Sequence, residues 1–106
     1  VTYGVEVEFR RRELDRNGLV CDIGLALTVL KEVLGEFNFK NLDTVPELSG
    51  KNTTTEVMAG VIFARLKARV AEGAIGPDTA DALESLRVVL RESPVAWASF
   101  EGSLRE

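Results

Sequence analysis

The sequence predicts an α+β domain: a small antiparallel sheet with two helices packed on one face. Three observations carry that reading. The opening residues alternate apolar and polar with period two. Two later stretches repeat apolar residues at helical spacing. The chain then closes on two apolar runs, residues 86–90 and 95–100, either side of Pro94. The order is therefore strand, helix, helix, strand, strand.

The 106 residues support one domain, spanning 1–106, with a core of its own. No apolar run approaches the ~20 residues of a membrane-spanning helix. A net charge of −4 argues against a general nucleic-acid binder. Arg10, Arg11, Arg12 and Arg16 form a local basic cluster, read as a solvated strand end and turn. The single cysteine, Cys21, excludes an intrachain disulfide and fits a reducing, cytoplasmic setting. There is no histidine. That removes the usual neutral-pH acid/base and the commonest zinc ligand.

In the first strand Tyr3, Val5, Val7 and Phe9 face inward, alternating with Gly4, Glu6, Glu8 and Arg10. A polar turn follows, punctuated by Asn17-Gly18. Leu19, Val20 and Cys21 read as a short extended run, with Cys21 a buried small hydrophobe. Asp22 is placed to cap a helix whose stripe is Ile23, Ala26, Leu27, Leu30 and Leu34, closed by Gly35. Residues 36–51 form a loop around Pro46. A loop that long in a small domain is often functional.

Thr53 and Glu56 fit the capping-box pattern at the start of the second helix. Its apolar face is Val57, Met58, Val61, Ile62, Leu66 and Val70. One more helical turn is expected over residues 78–82. In the closing pair, Leu86, Val88 and Leu90 share one side of a strand, and Glu92 continues on it. Glu92 is either a solvated turn residue or a carboxylate anchor for a donor-rich ligand. Local sequence leaves both readings open.

Several segments, in order, resemble the 6-pyruvoyl-tetrahydropterin synthase and 6-carboxytetrahydropterin synthase family, of the tunnelling fold. They are YGVEVEF, NGLVCDI, FNFKNLD, NTTTE and RESPVAWASFEG. The resemblance implies that Glu92 matches the family's carboxylate that anchors the pterin ring. It implies that Thr54, Thr55 and Glu56 line the pterin pocket, beside any capping they do. It also implies trimers that stack into hexamers, with pockets between subunits, so that Glu92 and the 54–56 segment are expected to meet across an interface.

The departures bear on the chemistry. The family binds zinc through three histidines. Val1 falls on one of those positions, and the strand carrying the first ligand and the catalytic cysteine would precede Val1. Asn38 and Phe39 fall where the family has its proton-transferring Asp and His. An amide and a phenyl ring do not exchange protons near neutral pH. The reading is a homologue that binds a pterin, or a purine-like ring, without zinc or the usual lyase chemistry. The alternative is an enzyme with altered pterin chemistry, of aldol-type or cyclohydrolase-like character.

Overall fold

Alternation at the start and the paired apolar runs at the end build one three-stranded antiparallel sheet. Its order is β1 (Gly4–Arg11), β2 (Leu83–Ser93), β3 (Ala96–Ser103). The computed structural model describes residues 3–37, 45–50 and 52–105. The expectations placed on Val1, Asn38 and Phe39 lie outside these residues. Between β1 and β2 come helices α1 (Ile23–Gly35), α2 (Thr55–Ala71) and the short α3 (Pro77–Ala82). A 3-10 turn, Pro46–Leu48, precedes α2.

Register fixes which side chains meet. Val5, Val7 and Phe9 of β1 pair with Leu90, Val88 and Leu86 of β2. Those three β2 residues are fully buried and pair in turn with Ala98, Phe100 and Gly102 of β3. The apolar side of the sheet therefore runs unbroken across all three strands, while Glu6, Glu8, Arg87 and Arg91 take the other side. On that side Arg91 pairs with Glu6 at 3.0 Å and lies over the Trp97 ring.

Helix α2 is the element that covers the sheet. It packs on β2 and β3, and α1 packs chiefly on α2. Met58, Ala59, Ile62 and Leu66 of α2 are buried with Leu86, Val88 and Leu90 of β2. Each of these side chains larger than alanine contributes about 1.5–3 kcal/mol by leaving water. The fit to β3 is close. Phe63 and Phe100 stack at 4.8 Å between ring centroids, and a Cβ on Gly102 would sit 2.7 Å from the Phe63 ring.

Four local expectations are corrected. Residues 19–21 form no strand, and Cys21 is half-buried. The stripe on α1 is partly rotated: Ala26 is buried with Val29 and Val33, and Leu30 and Leu34 pack against the core, while Ile23 is 76% and Leu27 53% exposed. The reason is that α1 is apolar nearly all round, so spacing alone does not select its inward face. Gly35 is the last helical residue, and Glu36 takes the C-cap in a right-handed conformation that needs no glycine. The N-cap of α2 is Thr54, not Thr53. Its hydroxyl accepts from the Val57 amide, which leaves Glu56 in the first turn and no capping box. Asp22 does cap α1, accepting from the amides of Gly24 and Leu25.

Candidate functional site

A one-residue irregularity in the β2–β3 ladder places Glu92. Arg91 pairs with Trp97 and Ser93 with Ala96, so Glu92 has no partner on β3. An extra residue of this kind is a β-bulge, which bends the strand and re-aims a side chain. Beyond it the chain reverses through Pro94 and Val95. The Ser93 hydroxyl oxygen accepts from the amides of Val95 and Ala96 and so fixes the turn. Proline suits this position because it has no amide to offer a ladder.

The Glu92 carboxylate, on the same side as Leu90, meets the first turn of α2. The Thr55 hydroxyl donates to Glu92 Oε1. Thr54 caps the helix beside it, and Glu56 is exposed in the same turn. Glu92 and Thr55 thus meet within one chain, where the resemblance led one to expect a meeting across subunits. Glu92 is exposed, and a carboxylate has about four acceptor positions. One bond from Thr55 orients the group and leaves room for further donors. The amides of a helix's first turn also lack partners inside the helix. Such a site can present a fixed anion beside backbone donors to a flat, polar ring.

Sequence reasoning missed an apolar groove away from Glu92. The groove, of about 740 Å³, runs between β1 and α1, lined by Val5, Val7, Phe9, Ile23, Leu27 and Leu30 among others. Neither Glu92 nor residues 54–56 lie in it. Its signal in the sequence was the second apolar row of α1, which a single-stripe reading merges with the first. Cys21 also lines this groove. Burial raises the pKa of its thiol, and Asp22 raises it further, so the thiolate is disfavoured.

The comparison with protein families is decisive at this point. A family model described as 6-pyruvoyl tetrahydropterin synthase matches residues 1–103. The chain belongs to the 6-pyruvoyl tetrahydropterin synthase family. No match to an individual curated protein is found. The three-stranded antiparallel sheet with helices packed against it is consistent with a tunnelling-fold subunit of this family.

The zinc that the family implies does not fit the residues described. The sequence has no histidine and one cysteine, and among the described residues no group of three or more His, Cys, Asp or Glu could hold a metal ion. Among the described residues, no helix is long and apolar enough to cross a membrane.

Proposed function

We propose that this member of the 6-pyruvoyl tetrahydropterin synthase family binds a pterin, or a purine-like ring with the same donor edge, through Glu92. The observation that supports it is the bulged Glu92 held by Thr55 at the start of α2. A pterin presents two adjacent N–H donors on its amino-pyrimidine edge. A carboxylate accepts both in a charge-assisted, two-point pairing, which is stronger and more directional than a neutral contact. Thr54, Thr55 and Glu56 then border the ring, with free helix-start amides available to its acceptors. The binding needs no zinc and none of the family's lyase chemistry. The reading extends to a cytoplasmic homo-oligomer, a trimer or hexamer as is usual for the family.

The test is a fluorescence or calorimetric titration with pterin, neopterin and guanine, for the parent and for Glu92→Ala. Binding by the parent and its loss in the variant support the anchor. Equal binding by both, or none by either, overturns it. Turnover assays on the same pterins without added zinc separate a binding protein from an enzyme of altered chemistry.

A further inference from the structure

We propose that Arg65 is a clasp that fixes both roots of the segment between α1 and α2, and that its planar guanidinium, rather than its charge, is what the clasp requires. Arg65 lies in the third turn of α2, with its side chain only 18% exposed. Its Nε and Nη2 donate side-on to the two carboxylate oxygens of Glu47, at 2.7 and 2.6 Å. Its Nη1 donates to Glu36 at 2.9 Å. The guanidinium also lies over the Phe37 ring, 4.8 Å from its centre. Glu36 and Phe37 close α1, and Glu47 sits in the 3-10 turn that leads toward α2. One side chain therefore grips the chain where it leaves α1 and where it returns.

The neighbouring turn reinforces the grip. Arg69 donates to Glu36 and, at 3.2 Å, to Glu32. Glu36 is thus held by two arginines one helical turn apart. Hydrogen bonding to Glu47 above all, with that to Glu36, raises the pKa of Arg65 from its ordinary value against the lowering effect of burial. Burial of its side chain limits screening by salt, unlike the exposed pair of Arg12 and Glu84. Lysine cannot reproduce this arrangement. It offers one point charge, without the fork that engages two carboxylates and a ring face together.

The clasp acts independently of any ligand. It sets the spacing of the two roots against α2, the same helix that presents Thr55 to Glu92. Residues 38–44, which include the Asn38 and Phe39 positions, lie between those roots in the sequence.

The experiment is residue-resolved amide hydrogen exchange on the parent, Arg65→Met, Arg65→Lys and Glu47→Gln. The reporters are the amides of Leu48 and Ser49, which donate to the carbonyls of Val45 and Pro46, and that of Phe37, which donates to Leu34. Arg65→Met and Arg65→Lys are expected to exchange all three amides, and Glu47→Gln those of Leu48 and Ser49, at least about tenfold faster, with Val88 and Leu90 in β2 unchanged. If Arg65→Met does not fold, Arg65→Lys and Glu47→Gln still carry their expectations. Parent-like protection in Arg65→Lys overturns the fork, because charge alone would then suffice. Unchanged exchange at the roots, or an equal rise in β2, overturns the clasp.

Discussion

Thr55 and Glu92 are joined by a hydrogen bond that links the first residue of α2 to the bulge of β2, across 37 positions of sequence. The hydroxyl donates and the carboxylate accepts. Helix and sheet are thereby joined at the point where the Glu92 carboxylate is presented. The same helix, farther along, holds the roots of the preceding segment through Arg65. Helix α2 is in this sense both the cover of the sheet and the ruler for the surfaces at its two sides.

If Thr55 orients Glu92, removing only its hydroxyl will weaken pterin binding more than it weakens the fold. Thr55→Val keeps the shape of the side chain. At this exposed site both groups return to water when the bond is lost, so the fold loses little, while a carboxylate no longer held in place is expected to bind about tenfold more weakly, ~1.4 kcal/mol. The expected result is that loss of affinity with a melting temperature close to the parent's. Parent-like affinity in Thr55→Val means that Glu92 holds its position unaided.

Gly102 is required by the ring packed on it. A Cβ there would approach the Phe63 ring to 2.7 Å, and Phe63 is fixed in turn by Phe100. Overpacking of this kind typically costs about 1–3 kcal/mol. Gly102→Ala is expected to lower the unfolding free energy from denaturant titration by that amount, and Phe63→Leu in the same background to recover part of it. An additive loss in the double variant would remove the Phe63 explanation.

Much of this was legible in the sequence, for reasons that differ by element. The strands were readable because period two and the Pro94 break admit few alternatives. Glu92 was readable as the end of an apolar row, but its bulge was not, since an unpaired residue depends on what the facing strand does. The phase of α1 was misread because Ile23 and Leu27 are as apolar as Val29 and Val33, and only tertiary contact with α2 decides between them. The cap of α2 shifted by one because three successive threonines, 53 to 55, can each serve. The Arg65 clasp gave no local signal at all, since its carboxylates come from separate elements.

The shift of the cap can be tested directly. Thr54→Ala removes the acceptor of the Val57 amide and is expected to cost about 1 kcal/mol. Thr53→Ala should stay within about 0.5 kcal/mol of the parent. For a domain near this size that is a drop of about 4–8 °C against almost none. The reverse order in thermal melts would restore the Thr53 cap.

The phase of α1 makes a similar contrast. Leu27 is 53% exposed beside the groove, whereas Leu66, from α2, is 1% exposed in the core. Leu27→Ala is expected to cost well under ~1 kcal/mol, and Leu66→Ala about 2–5 kcal/mol. Equal costs in urea denaturation would mean that the outer row of α1 is covered in solution.

Acid sensitivity should trace in part to Asp15. Its Oδ1 accepts from the amides of Leu19 at 2.9 Å and Asn17 at 2.8 Å and so shapes the turn that leads into α1. The Leu19 bond, then the Asn17 bond and the charges of Arg11 and Arg16, hold its pKa below the ordinary carboxylate value. The unfolded chain therefore binds more protons than the folded one in the acid range, and stability rises with pH there. The contribution is complete above the unfolded value of about 3.9 and is lost as pH falls through the lower native value. Asp15→Asn keeps an acceptor oxygen but cannot titrate. Its stability is expected to fall less steeply than the parent's as pH drops below about 5. Parallel acid profiles for the two proteins, read from urea midpoints, would show that the turn does not depend on this charge.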